Sequence, residues 1–333
     1  MKNPEGNNHS DPVSEFILLG FPCTWEVQIF LFSLFSVIYV LTLTGNLCII
    51  SAVWWDHHLH TPMYILLANF SFLEMWYVTS TVPNMLANFL SETKTISFSG
   101  CFLQFYFFFS MGTTETFILS AMAFDRYLAI CRPLHYPTVM TLQRCIRLGA
   151  CCWLRLCINL VGLCWVTAFL CYPVPIYFIT QLPFCGPNTI DHFVCDPGPL
   201  LALSCIPAPG IELSCSILSS LIIFSTFFFI LGSYTLVLRA VLPVLRVPSS
   251  SGRQKAFSTC GSHLIVVSLF YGTIMVMYVS PTSGNSVSMH KIITLIYSVV
   301  TPVLNPLIYS LRNRDMKFAL HQVLCGMRIM QTS

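Results

Sequence analysis

The sequence predicts an all-α membrane protein: a seven-transmembrane helix bundle with a short amphipathic C-terminal helix. Of its 333 residues, 55% are hydrophobic and only 9% are charged, whereas roughly a quarter of the residues in soluble domains are charged. Apolar stretches long enough to cross a hydrocarbon core of roughly 30 Å recur along the chain. We place them at about residues 30–53, 63–90, 102–124, 156–178, 211–242, 264–279 with its flanks, and 292–311. An ordinary soluble protein is excluded, and residues 1–333 are predicted to form a single membrane domain.

The positions of the 16 lysine and arginine residues predict the orientation of the chain. With the N-terminus outside, the outer segments hold only Lys2, Lys94 and Lys291, and the other basic residues fall in inner segments. Because basic residues concentrate on the cytoplasmic side, residues 1–28 are predicted to be extracellular and residues 312–333 to form a cytoplasmic tail. We expect a multi-pass protein of the plasma membrane. Nucleic acid requires basic residues clustered on one soluble face, so we expect no nucleic-acid partner.

Several residues in the predicted outer segments are candidates for covalent modification, since glycans and disulfides form on that side. Asn8-His9-Ser10 is a glycosylation sequon. The disulfide candidates are Cys101, Cys185, Cys195 and Cys205, and the sequence alone allows three pairings among them. Pairs of CxxC motifs at zinc spacing do not occur in the sequence, so we expect no metal held by thiols.

The first two predicted spans carry residues suited to close helix contact. Gly45 and Asn46 lie in mid-bilayer, where a glycine lets helices approach and an amide can hydrogen-bond across them. Pro62 suits the first turn of the second span. The short link before Pro62 makes the two spans antiparallel neighbours.

Two glutamates are predicted to reach similar depth near the membrane midplane. Glu74 lies 12 residues after Pro62, about 18 Å along a helix, and Glu115 lies 14 residues after Cys101, about 21 Å. The two spans run in opposite directions, so the carboxyl groups enter from opposite sides. A buried acid is costly and is usually paired, protonated or bound to a cation. A shared cation or proton site and two separately satisfied acids both remain open.

The third predicted span ends on Asp125, Arg126 and Tyr127, at a membrane surface. An arginine beside a carboxylate at the mouth of a helical bundle can hold a pair in one state and release it in another, as a switch requires. The alternative is a stop-transfer flank with no switching role.

The fourth span is harder to delimit, because Arg155 interrupts any helix that begins near Ile146. We start this span at residue 156, which leaves a long inner loop over residues 132–155. The following outer loop, about 172–209, is rich in proline and has no regular helix pattern. It needs covalent ties to hold a shape, and we predict that it forms a lid over the bundle.

The C-terminal part of the chain is predicted to bend and then to lie on the membrane. Pro302 and Pro306 in the seventh span free backbone carbonyls for neighbouring groups and predict a kink. After Ser310 the pattern is that of an amphipathic helix on the inner membrane face. Its apolar residues are Leu311, Phe318, Ala319 and Val323, and its basic ones are Arg312, Arg314, Lys317 and His321.

Short motifs occur in order in every predicted span except the fourth. They are Gly45-Asn46, LHTPMY at 59–64, MAFDRYLAIC at 122–131, Ser233-Tyr234, KAFSTCGSHL at 255–264 and PVLNPLIYSLRN at 302–313. Together they resemble the olfactory receptor family of rhodopsin-like G-protein-coupled receptors, in its larger, tetrapod-type class. The chain departs from that family in two respects. Glu74 stands where the family usually has aspartate, and the region of the fourth span is longer than usual.

The resemblance implies an inner switch that engages a G protein once the sixth span swings outward. Arg126 with Asp125 would be its centre, and Tyr234 and His263 match family positions that contact this arginine. The full implied set is Asp125, Arg126, Tyr127, Tyr234, His263, Asn305 and Tyr309.

The resemblance also implies an ion site and a disulfide pattern. Glu74 and Glu115 match the midplane site where the wider superfamily holds sodium, and we expect no cofactor beyond such an ion. The implied disulfides are Cys101–Cys195, which ties the third span to the lid, and Cys185–Cys205 within the lid.

Three sets of residues match the family's odorant pocket, on the third, fifth and sixth spans. They are Phe108, Phe109, Gly112, Thr113; Leu218, Ser219, Ile222; and Tyr271, Ile274, Met275, Tyr278. These faces carry no charged side chain above Glu115, so we expect a small, volatile, mostly apolar ligand. Thr113, Ser219, Tyr271 or Tyr278 would supply one or two hydrogen bonds. Plain helix packing or lipid exposure is the alternative for any single residue.

The resemblance implies an odorant receptor and not an enzyme. Ligand binding would favour one of two bundle arrangements and open the inner half to a heterotrimeric G protein of the olfactory stimulatory type, which raises cyclic AMP. We find no nucleophile–base pair with an oxyanion site in the sequence. Two alternatives remain: a transporter that uses Glu74 and Glu115 as its ion site, and a non-signalling membrane protein with the same motifs.

Overall fold

The computed structural model describes residues 13–131, 143–184, 187–244, 251–279 and 286–324. In chain order its helices are α1 (Trp25–Trp55), α2 (Pro62–Leu90), α3 (Phe98–Cys131), α4 (Gln143–Cys171), α5 (Pro173–Thr180), α6 (Pro197–Ala202), α7 (Pro209–Val244), α8 (Ser251–Val279), α9 (Ser286–Leu295), α10 (Thr301–Arg312) and α11 (Arg314–Leu324). A 3₁₀ turn at His57–Leu59 links α1 to α2, and a π-helical turn at Ile296–Val300 links α9 to α10. The predicted glycosylation site Asn8 lies outside the described residues.

All seven predicted spans are helical, and the predicted fold class is confirmed. The first, second, third, fifth and sixth spans correspond to α1, α2, α3, α7 and α8, and the seventh to α9, the π-helical turn and α10. Five stretches of the described chain are long and apolar enough to cross a membrane: Trp25–Trp55, Phe98–Cys131, Cys157–Thr180, Pro209–Ala240 and Ser288–Tyr309. Cys260–Val276 is a shorter apolar stretch. The polar residues of α2, Glu74 among them, lower its mean hydropathy.

The distribution of polar and apolar side chains is the reverse of that in a soluble domain. Large apolar side chains such as Phe30, Leu170 and Phe228 are more than 60% exposed, whereas Asn46 and Glu74 are at most 1% exposed. Exposed apolar surface on this scale requires an apolar environment. The peripheral surface of the bundle therefore faces lipid, and the polar groups line its interior.

Helix α3 lies at the centre of the bundle and packs against α2, α4, α5, α7 and α8. Its buried side chains run along nearly its whole length, from Cys101 to Asp125. The central position explains why α3 contributes to the outer lid, the interior and the inner switch.

The contact between α1 and α10 confirms two predictions for the motif residues. A Cβ atom added at Gly45 would lie 3.2 Å from the Pro306 Cβ atom, so the glycine permits the close approach. Pro306 has no N–H to bond the Pro302 carbonyl, and the Asn46 Nδ2 atom donates to that carbonyl at 3.3 Å. An amide on the first span thus satisfies a carbonyl that a proline on the seventh leaves free.

The predicted start of the fourth span, residue 156, is one residue from the Cys157 start of the apolar stretch, but the long inner loop predicted before it was wrong. Helix α4 begins at Gln143, so residues 143–155 are helical and do not belong to a long inner loop. Arg155 is exposed and does not interrupt the helix, because a guanidinium that reaches solvent has no desolvation cost. The apolar span begins only at Cys157. The arginine marks the edge of the apolar span and not the start of the helix.

The predicted outer loop contains more regular structure than its sequence indicates. Helices α5 and α6 lie within it, and its strand β3 (Thr189–Ile190) joins a small sheet. The central strand β1 (Glu15–Leu18) pairs antiparallel with β2 (Thr95–Ser97) and parallel with β3. This sheet packs on a second apolar cluster that includes Phe16, Phe105 and Ile179. The N-terminal segment is therefore part of the outer cap.

The C-terminal helix α11 has the predicted amphipathic character. Met316 and Ala319 are buried against the bundle, whereas Lys317 and Phe318 are exposed. Phe318 was predicted to belong to the same apolar set as Ala319, but it is 60% exposed and does not share the buried side. Residues next to each other on a helix point in different directions, which separates these two.

Candidate functional site

A cavity lies inside the outer half of the bundle, where helices from both sides of α3 converge. It encloses about 590 Å³ of empty space, counting its open mouth. Seven of the eleven predicted pocket residues line it: Phe108, Phe109, Gly112, Thr113, Ser219, Ile222 and Ile274. Helices α3 and α7 supply most of these seven residues.

The other predicted pocket residues are not part of this lining. Leu218 and Met275 are half-buried on neighbouring faces of α7 and α8. Tyr271 is 2% exposed, and its hydroxyl donates to the Thr226 Oγ1 atom at 2.8 Å, which joins α8 to α7. The side chain of Tyr278 lies outside the described part. Residue spacing identifies a helix face, but packing sets how far that face turns toward the cavity.

Six lining residues were not predicted: Tyr77, Thr116, Tyr172, Ile223, Phe270 and Tyr297. Tyr77 comes from α2, Tyr172 from the break between α4 and α5, and Tyr297 from the π-helical turn. These three elements were not considered as pocket walls. Thr116, Ile223 and Phe270 lie on helices for which pocket residues were predicted. Ile223 and Phe270 are each one residue from a predicted position, and Thr116 is one turn from Thr113. The one-turn spacing could have identified Thr116.

The polar groups of the cavity are hydroxyls. The Thr113 Oγ1 atom and the Tyr172 hydroxyl form a buried hydrogen bond of 2.8 Å, in which either can donate. Thr116 donates to the Thr113 carbonyl at 2.8 Å, so its own proton is used within α3. Charged side chains are absent from the lining that the structure gives. The cavity suits a neutral molecule with one or two polar atoms.

Covalent and hydrogen bonds tie the lid to α3. Cys101 and Cys195 form a disulfide, as the resemblance implied. Beside it, the Gln104 Oε1 atom accepts from the Cys195 backbone N–H at 3.0 Å, and its Nε2 atom donates to the Ser80 carbonyl at 3.2 Å. Cys205 is also disulfide-bonded, and its predicted partner Cys185 lies outside the described residues.

A buried lysine ties the lid to two further segments. The Lys291 Nζ atom donates to the Gly20 carbonyl at 2.8 Å and to the Asp191 Oδ1 atom at 2.5 Å. Burial lowers the pKa of the neighbouring His192, as do Lys291 and His290, against an opposing contribution from Asp196. The N-terminal segment, the lid and α9 are thereby joined at the outer face.

The two glutamates predicted to lie at similar depth are both in the interior of the bundle. Glu74 and Glu115 are buried and close enough to interact electrostatically. The Asn305 Nδ2 atom donates to the Glu74 Oε1 atom at 2.5 Å. Two buried oxygens at the Glu74–Asn305 contact have no hydrogen-bond partner among the described residues: Glu74 Oε2 and Asn305 Oδ1.

The inner end of α3 holds the predicted switch residues. The Arg126 Nε atom donates to the Asp125 Oδ2 atom at 3.0 Å, and a second guanidinium nitrogen bonds the same oxygen. The Tyr234 hydroxyl and the His263 Nδ1 atom are 2.5 Å apart, which joins α7 to α8. Both groups lie within electrostatic range of Arg126.

The remaining switch residues lie around this centre. Asn305 and Tyr309 are buried on α10, and the Tyr309 ring lies 6.3 Å from the Phe70 ring, centroid to centroid. Tyr127 is half-buried, and its ring lies 6.3 Å from that of Phe124. Residues of α3, α7, α8 and α10 therefore meet at the inner half of the bundle.

Comparison with known proteins identifies the family. A sequence model of the family described as "Olfactory receptor" matches residues 35–327. The chain is 66% identical to human olfactory receptor 11H7 over 98% of this chain and 99% of that protein. It is 66% identical to human olfactory receptor 11H6 over 96% and 92%, and 49% identical to human olfactory receptor 6N1 over 94% and 95%. The chain belongs to the olfactory receptor family, and is thus a multi-pass, seven-transmembrane odorant receptor and not an enzyme.

Proposed function

We propose that this receptor binds a small, neutral, mostly apolar odorant in the cavity beneath the lid and then activates a G protein of the olfactory stimulatory type, raising cyclic AMP. The cavity carries the proposal, because it is lined by residues of α2, α3, α7, α8 and the seventh span at once. A ligand that contacts all of these helices can favour one of their arrangements over another, which is the condition for shifting an equilibrium.

The uncharged lining supports the choice of ligand class. A buried hydroxyl pair, Thr113 and Tyr172, offers hydrogen bonds without the desolvation cost of a charge. Most other lining side chains are aromatic or aliphatic. A small ligand with few polar anchors binds with modest affinity.

The proposed orientation places the disulfide outside the cell and Arg126 inside, at the plasma membrane. Cys101 and Arg126 are 25 residues apart on α3, about 37 Å along a helix, which exceeds a hydrocarbon core of roughly 30 Å. Disulfides form on the oxidising side of the membrane. The inner excess of lysine and arginine supports the same orientation.

We also propose a monovalent cation, sodium, at Glu74 and Glu115. The unpartnered oxygens there belong to a carboxylate and an amide, which are oxygen donors that hard cations prefer. Groups of three or more His, Cys, Asp or Glu that could hold a metal are absent from the described residues, so the Asn305 amide oxygen would have to contribute to the site. The ion would offset the charge of the acids.

The proposal is tested by a cyclic AMP assay in cells that display the tagged receptor on their surface. Neutral volatile compounds are applied as a panel, and we expect at least one dose-dependent response that untransfected cells lack. Movement of the compound into vesicles without G-protein activation would instead indicate a transporter. Failure of the chain to reach the surface would indicate a non-signalling protein.

Loss of a hydroxyl in the cavity should change which odorants act without changing the maximal response. Thr113→Val, Tyr172→Phe and Ser219→Ala should each raise the half-maximal concentration about 2- to 10-fold for odorants with an oxygen acceptor, the range that one neutral hydrogen bond supplies. Hydrocarbon analogues should be little affected.

A matched control is available close to the cavity. The Tyr106 hydroxyl donates to the Phe169 carbonyl at 3.1 Å, but Tyr106 does not line the cavity. Tyr106→Phe should leave the ranking of odorants unchanged. Equal shifts for oxygenated and hydrocarbon ligands in the cavity variants would contradict the proposed role of the hydroxyls.

A further inference from the structure

The junction between α10 and α11 depends on one side chain, Asn313. Its backbone leaves the helical conformation, with φ −101° and ψ 114°, and so ends α10. Its Oδ1 atom accepts from the backbone N–H groups of Asp315 at 3.1 Å and Met316 at 3.2 Å. Asn313 is therefore the N-cap of α11, the position where asparagine is strongly preferred.

The same amide group binds a second helix. The Asn313 Nδ2 atom donates to the Tyr64 hydroxyl at 2.9 Å, and that hydroxyl lies 3.1 Å from the Oδ1 atom, to which it donates. Tyr64 lies in the first turn of α2 and is 8% exposed. A single phenol thus links α2 to the residue that sets the start and direction of α11.

Tyr64 also interacts electrostatically with the inner switch. Its hydroxyl is within electrostatic range of Arg126 and of Asp315. Met316 and Ala319 of α11 belong to the same cluster of buried apolar residues as Tyr64. Because Asn313 ends α10, a displacement of α10 would change the surroundings of Tyr64.

We propose that the Tyr64–Asn313 pair is a latch that positions α11 and favours the resting arrangement of the receptor. The inference rests on the proposed G-protein function. The latch is formed while Arg126 is paired with Asp125. The hydrogen bonds of the latch therefore stabilise the resting arrangement. Activation that moves α10 must break them or carry α2 along. Tyr64 and Asn313 are positioning residues that bind neither odorant nor reacting groups.

The latch predicts a specific effect of removing the Tyr64 hydroxyl. Tyr64→Phe should raise ligand-independent cyclic AMP per surface receptor about 2- to 10-fold and lower the half-maximal odorant concentration by a similar factor, the range of one net hydrogen bond. A purely structural role would lower the surface level and leave both values unchanged. The measurement is cyclic AMP normalised to surface staining, with and without odorant.

A second variant separates the latch from the helix cap. Asn313→Ser keeps a good N-cap residue for α11 but is too short to reach Tyr64. It should reproduce the effect of Tyr64→Phe, and the double variant should exceed neither single one, because both remove the same interaction. Tyr39→Phe is the matched control, since it removes a phenol hydroxyl that lies 3.1 Å from Thr79 Oγ1 between α1 and α2, on an exposed face.

The outcomes distinguish failure of the latch from failure of the proposed function. If both variants reach the surface and match the wild type in basal and odorant-driven signal, or if their effects simply add, the latch is refuted while the receptor function stands. If the wild type shows no G-protein signal, the proposed function fails, and the latch with it. A variant that does not reach the surface leaves the decision to the other one.

Discussion

Arg126→Ala is expected to abolish odorant-driven cyclic AMP signalling while most of the protein still reaches the cell surface. The guanidinium bonds the buried Asp125 carboxylate, but its own side chain remains 15% exposed at the inner end of α3. Alanine removes the cation that the proposed mechanism offers to the G protein. Losing one partner of a fully buried pair costs about 3–5 kcal/mol, and the partial exposure here makes the cost smaller. Signalling should therefore fall much further than surface level.

Two variants control for loss of charge and for general damage. Arg126→Lys keeps the charge but lacks the planar fork that binds a carboxylate at two points, and it should retain only part of the signal. Arg155→Ala removes an exposed arginine from α4 and should signal normally. An Arg126→Ala receptor that responds to odorant as well as the wild type would exclude the switch role.

Cys101→Ser and Cys195→Ser are each expected to remove most of the receptor from the cell surface. The disulfide closes a loop with a sequence separation of 94 and lies in the buried outer cluster. Loop closure of this size is worth about 4 kcal/mol or more in the chain-entropy account, against total stabilities of about 5–15 kcal/mol. The Gln104 hydrogen bond to the Cys195 backbone is too weak to replace it. Surface staining and resistance to heating in detergent report the loss.

The pairing itself is tested by the double variant. Because both substitutions remove one bond, Cys101→Ser with Cys195→Ser should be no worse than either alone. Cys215→Ser is the matched control, since Cys215 is a free thiol packed against the same outer cluster. Clearly additive losses would mean that the two cysteines act separately.

Much of the architecture could be predicted because it depends on local composition. Most of the seven spans follow from apolar length, and the structure makes all seven helical. Gly45 and Asn46 were correctly interpreted as a close contact and a cross-helix amide, because a glycine and an amide in mid-bilayer have few other uses. Glu74 and Glu115 could be expected to interact because helical rise converts residue number into depth.

The errors concern features that depend on contacts between segments distant in the sequence or on where a side chain can reach. Arg155 was taken as a helix boundary, although a helix continues wherever its backbone bonds are satisfied and a long side chain can leave for solvent. Tyr77, Tyr172 and Tyr297 were missed as cavity residues because they come from helices and turns whose orientation depends on their neighbours. Strand β1 lies in a segment with no strong pattern of its own, and its partners are distant in the sequence.

The sequence by itself determined the class of fold, the depth of each polar residue and, through its ordered motifs, the family. These follow from composition and from the fixed rise of a helix, which depend on each segment alone. Only the tertiary structure decided how far each helix is rotated, which aromatic residues close the cavity, and that Asn313 binds Tyr64, 249 residues away. Rotation and long-range pairing arise from the packing of several helices at once, and no single segment encodes them.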